Sequence, residues 1–176
     1  MSDGQQVLWE LLRGKDPEEV AENAEVQYLP DRGEFRIPSF AETVIVSPVE
    51  QRITGDGPAT RFLLESDEEH FRLGVIAYLA QAKGEPLTGD LVPPARTSGG
   101  KIYEEGAHRL PLDQLAKPYA HDKAGFLTLT DRLGGDTMEK GDASAKLFPL
   151  PLVPISFVLY ERDDEFDEQM DIYFDT

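Results

Sequence analysis

The stretch that most restricts what this chain can fold into is Leu147 to Glu168, LFPLPLVPISFVLYERDDEFDE, where a long apolar run stops abruptly at six carboxylates within eight residues, Glu161 to Glu168. This is the pattern of a buried strand emptying into an acidic turn. Such junctions often carry functional side chains, because a rigid strand fixes a polar loop. Pro149, Pro151 and Pro154 interrupt the first half of the run, and proline cannot donate to a sheet ladder, so the regular strand is expected over Ile155 to Tyr160. Asp171 to Asp175 alternates Ile172 and Phe174 against Tyr173, and is the expected partner strand across the acidic turn.

The preceding residues add helices and further strands. Val7, Leu8, Leu11 and Leu12 form a stripe at helical spacing within Gln5 to Arg13, with Gly14 as a stop; together with Trp9 the stripe suits either core packing or docking to another protein. Asp16 fits an N-cap, Pro17 the first helical position and Glu19 the returning acid of a capping box, which predicts a helix over Pro17 to Asn23. Its thin apolar content, Val20, Ala21 and Ala24, marks it as a surface helix. Alternating residues around Pro30-Asp31-Arg32-Gly33 predict a hairpin within Glu25 to Ile37, and Thr43 to Ser47 a third strand, whereas Gln51 to Thr60 reads as a loop. Ser66 with Glu69 forms a second capping-box pattern ahead of a helix carrying Phe71, Val75, Tyr78, Leu79 and Ala82 and stopping at Gly84. Residues 89 to 106 are rich in loop signals. Leu110 to Leu133 predicts helical fragments broken at Pro118 and stopped by Gly134-Gly135.

Together these signals predict one α+β domain over residues 1–176, with a mixed or largely antiparallel sheet and packed helices, since hairpins dominate and no regular βαβ alternation occurs. A chain of this length buries roughly 70% of its unfolded surface, and one core is expected. Thirty-four acidic residues against seventeen basic ones leave a charge of −17, which repels phosphate backbones and disfavours nucleic acid and anionic membrane as partners. With no cysteine, disulfides, thiolate nucleophiles, zinc–thiolate sites and protein-ligated iron–sulfur clusters are excluded by inventory. No cofactor is indicated. The N-terminal residues lack a basic region followed by an apolar core, and no run of eighteen uncharged apolar residues occurs, so a cytoplasmic location is expected.

Several short motifs carry a resemblance. The opening Asp16-Pro17-Glu18-Glu19-Val20-Ala21, then Tyr78-Leu79, Ala82, Gly84 and Pro86-Leu87-Thr88-Gly89, then Gly99-Gly100 with Tyr103, Leu133-Gly134-Gly135, Gly141-Asp142, Leu150-Pro151, Val153-Pro154, Asp164-Glu165-Phe166 and Phe174-Asp175 follow one another in an order and spacing that resembles the domain-of-unknown-function 3786 family. The likeness runs over roughly Asp16 to Asp175. It implies a setting in anaerobic bacteria and archaea. Some relatives carry an added cysteine-rich domain like that of corrinoid iron–sulfur proteins, which implies a neighbourhood of anaerobic one-carbon or metallocofactor metabolism. Relatives usually continue past the Phe-Asp strand into a segment containing a helix, whereas this sequence stops at Thr176.

For chemistry, the candidates are few. Asp163, Asp164, Glu165, Asp167 and Glu168 would offer hard oxygen ligands to a cation or a surface to a basic partner, although the central glycine of an EF-hand loop is missing. Phe166 among them is expected to fold back on the core. Asp142 after Gly141 and Asp175 at the terminal strand would each complete a carboxylate pair with Asp164 or Glu165 if held across a cleft, and hydrolase or lyase chemistry would use Asp142, Asp163, Glu165 or Asp175. Gly99-Gly100, beside Lys101 and Tyr103, fits a tight turn with room for a small ligand, and neither glycine pair lies in a nucleotide-loop pattern. His70, His108 and His121 have no metal-binding spacing, and Ser98 and Ser156 have no nucleophile-elbow setting. The favoured reading is a non-catalytic accessory module binding a basic protein partner or small ligand through Gly99, Gly100, Tyr103, Asp142, Asp163, Asp164, Glu165 and Phe166. A carboxylate-based hydrolase or lyase, with or without a divalent cation, and an acidic nucleic-acid mimic are the alternatives.

Overall fold

A computed structural model describes residues 3–66, 70–103 and 109–175. It is an α+β fold in which the chain divides into two compact units, residues 1–86 with 150–152, and residues 87–149 with 153–176. Each unit has its own antiparallel sheet and its own cluster of buried side chains, in place of the single core expected from length.

The first unit begins with helices α1 (Asp3–Arg13) and α2 (Pro17–Asn23). Asp16 caps α2 as expected, accepting the Glu18 N–H at 2.9 Å. Four strands follow in order, β1 (Gln27–Leu29), β2 (Glu34–Ser39), β3 (Glu42–Ser47) and β4 (Arg52–Gly55), and pair in that order. The β1–β2 turn is the predicted one, with Gly33 at φ +63° where a side chain would be strained. Phe35 and Ile37 of β2 lie directly opposite Val46 and Val44 of β3, and all four are buried. This apolar sheet face packs with Trp9, Leu12, Val20 and Ala21 from α1 and α2, and with helices α3 (Pro58–Ser66) and α4 (His70–Gln81) through Leu64, Val75, Ile76 and Leu79.

Three expectations fail here for physical reasons. On α1 the buried face is Trp9 with Leu12, while Val7 and Leu11 are 62% and 44% exposed, so the expected stripe is turned partly outward. The sparse apolar residues of α2 are buried in the core, because small side chains let the helix approach closely. The loop expected over Gln51 to Thr60 contains β4 and the start of α3, both held by partners distant in sequence. Ile53 pairs with Val46, and the Glu42 carboxylate accepts the N–H groups of Ala59 and Thr60 at 3.0 and 2.7 Å and the Thr60 hydroxyl at 2.8 Å. Ser66 ends α3, its hydroxyl donating to the Phe62 carbonyl; its expected capping partner Glu69 lies outside the described residues.

One polar bridge ties this unit together. The Tyr78 hydroxyl donates to the Ala24 carbonyl at 2.6 Å and accepts the Leu152 N–H at 3.2 Å. Burial above all pushes its pKa up to about 12.

In the second unit, β5 (Leu91–Val92), α5 (Leu112–Ala116), α6 (Lys123–Arg132), β6 (Asp136–Met138), β7 (Ala143–Leu150), β8 (Val153–Tyr160) and β9 (Gln169–Asp175) form a sheet of order β5-β9-β8-β7-β6 with helices on it. Ala116, Phe126, Ala143, Ala145, Leu159 and Met170 make its core, and Tyr119 meets Phe126 edge to face at 5.6 Å. The predicted β8–β9 hairpin is present, with Ile155 opposite Phe174 and Tyr160 opposite Gln169. Pro118 lies in the 3₁₀ turn Lys117–Tyr119 between the helical fragments, and Gly134 has φ +73° after α6.

The prolines have less effect than expected. Strand structure reaches back through β7 and begins in β8 at Val153, two residues ahead of Ile155. Pro149 sits beyond the β7 residues that β6 pairs, Ser144 to Lys146, and Pro154 precedes the first residue that β9 pairs. Neither position needs its missing N–H on that side.

Candidate functional site

The acidic turn joining β8 to β9 largely satisfies itself. Asp163 accepts the N–H groups of Glu165 and Phe166 at 2.8 and 2.7 Å, and its own N–H reaches the Phe166 carbonyl at 3.0 Å. The N–H groups of Glu165 and then Phe166 hold its carboxyl below the usual range. Arg162 bridges Asp167 and Glu168 at 2.8 and 2.9 Å, and Glu161 accepts the Lys123 N–H at the start of α6 at 3.0 Å. Asp164 and Glu165 stand exposed at the tip. Phe166, expected to fold onto the core, is 70% exposed, because the Asp163-capped turn directs the chain away from it.

Asp142 and Asp175 are also engaged with backbone. Asp142 accepts the Glu161 N–H at 2.9 Å, while its own N–H reaches the Leu159 carbonyl at 2.9 Å. Asp175 accepts the N–H groups of Thr88 and Gly89, both at 2.7 Å, and the Thr88 hydroxyl at 3.0 Å, which links two motifs 86 to 87 residues apart in sequence. Burial acts to raise its pKa, but these donors and Lys146 outweigh burial and lower it. None of Asp142, Asp163, Asp164, Glu165 and Asp175 lines the groove beside β9 or the smaller hollow lined by Glu25 and Thr43. Among the described residues, no three His, Asp or Glu side chains form a cluster suited to a metal ion.

Gly99-Gly100 is a tight turn. Gly99 has φ +75°, and a Cβ on Gly100 would collide with the Pro94 carbonyl oxygen, so glycine permits a close backbone approach there. The turn leads into the 3₁₀ turn Gly100–Tyr103, and Tyr103 is 44% exposed. Asp122, beside His121, is the α6 N-cap and accepts the Gly125 N–H at 2.8 Å. Of the other histidines, His70 begins α4 and His108 lies outside the described residues.

The second unit carries a groove of about 710 Å³. Tyr103 and Phe166 line it; Gly99, Gly100, Asp142, Asp163, Asp164 and Glu165 do not. From β9, Met170, Asp171, Ile172 and Tyr173 line it, and from the segment leading into α5, Arg109, Leu110, Leu112 and Asp113 do. Pro93 and Pro94 also contribute to its lining. Arg109 is paired with Asp113 at 3.2 Å, whereas Asp171 accepts, among the described residues, the Gln169 amide at 2.7 Å and the Tyr173 hydroxyl at 3.4 Å. Lys140 sits over the Tyr173 ring, 3.7 Å from its centre. The sequence marked Asp171, Ile172 and Tyr173 as strand and Pro93-Pro94 as loop, but carried no signal joining them to Arg109 or Asp113.

Two antiparallel sheets with packed helices, and a groove lined by aromatic, aliphatic and acidic side chains, define a small α+β protein. A family model described as Domain of unknown function (DUF3786) matches residues 16–176, and the chain belongs to that family. No curated protein and no solved structure matches it. No helix among the described residues is long and apolar enough to cross a membrane.

Proposed function

We propose that this protein is a non-catalytic, cytoplasmic binding module that holds a cationic partner or small ligand in the groove beside β9. The observation that carries this reading is the lining itself. Tyr103, Phe166 and Tyr173 supply apolar contact area, and among the described residues Asp113, Asp167, Glu168 and Asp171 line it against a single cation, Arg109. Ligand sites commonly combine apolar walls with a few oriented polar groups. The carboxylates singled out for acid–base chemistry support the same reading. Asp142, Asp163 and Asp175 accept backbone N–H groups, and for Asp163 and Asp175 these bonds favour the ionised form and oppose use as a general acid. Anaerobic metallocofactor or corrinoid-linked metabolism, implied by family resemblance, is the proposed setting.

The test is titration of ¹⁵N-labelled protein with spermidine and, separately, tetralysine at low and moderate salt. We expect amide shifts concentrated at Tyr103, Arg109 and Phe166 to Tyr173, weakened in Asp171→Lys and largely kept in Asp164→Asn/Glu165→Gln at the turn tip. Shifts spread evenly over the acidic surface, and unchanged by Asp171→Lys, would sink the groove as the site.

A further inference from the structure

Sheet edges expose backbone donors and acceptors to any passing chain, and proteins protect them with short strands, proline or charge. The terminal strands β1, β4, β5 and β6 are short here. The longer strands also have stretches without a neighbour on one side. β2 is paired by β1 only over Glu34 to Arg36, leaving a stretch that contains Pro38. β7 is paired by β6 only over Ser144 to Lys146, leaving a stretch that contains Pro149. On β9, β5 reaches only Phe174 and Asp175, so Gln169 to Tyr173 has no strand on that side among the described residues, and it contains no proline.

That stretch lies in the groove. Met170 and Ile172 project to one face of β9, Asp171 and Tyr173 to the other, and all four line the groove. A groove reaches both sets where it runs along the strand's edge. From these observations, and resting on the binding-module reading above, we infer that β9 accepts an extended basic peptide from another protein as an added strand. Alternate residues of β9 direct their N–H and C=O groups away from β8, and the five residues span roughly 17 Å, enough to pair a short segment.

Charge selects the occupant. Asp113 is paired with Arg109, and Asp167 and Glu168 with Arg162, but Asp171 has no cation within ion-pair distance among the described residues. An incoming strand places a Lys or Arg opposite Asp171, on the face that Asp171 shares with Tyr173, while Met170 and Ile172 on the other face are already buried by the protein's own packing. A second copy of this chain is disfavoured, because it also carries a charge of −17.

The probe is the pentapeptide Val-Lys-Val-Lys-Val with blocked ends, compared with two versions N-methylated at alternate positions. N-methylation removes amide donors while retaining charge. Strand addition predicts that one methylated version binds about ten-fold more weakly while the other binds within about two-fold of the parent, as expected for donors on opposite edges. Amide exchange at Met170 or Ile172 should slow on binding. Equal binding of all three peptides overturns strand addition but leaves cation binding intact. Spermidine binding without peptide binding overturns the peptide occupant alone, and dimers by ultracentrifugation that the peptide dissociates identify a second copy as the occupant. If neither spermidine, tetralysine nor the peptide perturbs the groove, both readings fall.

Discussion

The two units finish their sheets differently. In the first, four strands form a meander whose central pair is covered by a broad apolar cluster, and the open stretch of β2 carries Pro38. In the second, the buried cluster among the described residues is smaller, with alanine at three of its six buried positions, and a five-residue stretch of β9 lines a groove with polar and apolar walls. A sheet with most of its apolar side chains committed to packing has less surface to offer a ligand. The contrast teaches that the proposed binding surface falls where pairing stops short and core packing is lean.

The sharpest way to break that comparison is to truncate an anchor in each core. Trp9→Ala and Phe126→Ala should each cost about 3–5 kcal/mol in urea denaturation, with hydrogen exchange reporting each unit. A Phe126→Ala cost below about 1 kcal/mol would mean that the second cluster is not a cohesive core.

Tyr78→Phe comes next. It leaves the Ala24 carbonyl and Leu152 N–H without their tyrosine partner, at a cost of about 1–3 kcal/mol. The raised Tyr78 pKa adds a pH signature: its stabilisation is complete below the unfolded value near ~10 and lost as pH rises toward the folded value of about 12. The phenylalanine variant should lack that alkaline loss, and denaturation midpoints between pH 9 and 12 measure it.

Asp175→Ala should cost less, about 1 kcal/mol at neutral pH, since water reaches the site and can satisfy part of the Thr88–Gly89 backbone. Its folded pKa is lowered, so the stabilisation is complete above the unfolded value near ~4 and lost as pH falls through the folded value. Wild type and Asp175→Ala should converge in acid melts; a gap that persists would show that the carboxylate charge is not the source.

The smallest effects test one buried hydroxyl in each unit. Ser39 and Ser156 are fully buried, and neither side-chain oxygen has a partner among the described residues. Ser39→Ala and Ser156→Ala should each leave stability unchanged or raise it by up to about 1 kcal/mol in thermal melts, because an unsatisfied polar atom is removed. A clear loss would reveal a partner for that hydroxyl.

What was legible was local. Asp16, Pro17 and Gly33 specify their cap and turn within a few residues, and the β8–β9 hairpin follows from alternation on both sides of a charged turn. Helix α3 and strands β4, β6 and β7 were not legible, because their support comes from elsewhere. Glu42 holds the start of α3, β3 pairs β4, and β7 begins among small residues beside the short β6. Tyr103 and Phe166 were found one by one, as aromatic residues in polar loops. Their common groove depends on the unpredicted wall of Arg109 to Asp113.

The sequence alone determined the α+β class, the acidic surface, the caps and turns, and the apolar strand that ends in charge, since each depends on side-chain chemistry and short-range backbone preference. Tertiary structure decided which carboxylates hold backbone and which face a groove, and where β9 loses its neighbour. Those outcomes depend on how far β5 extends and on which distant N–H groups meet Asp142 and Asp175. Only the folded chain brings such groups within hydrogen-bond distance.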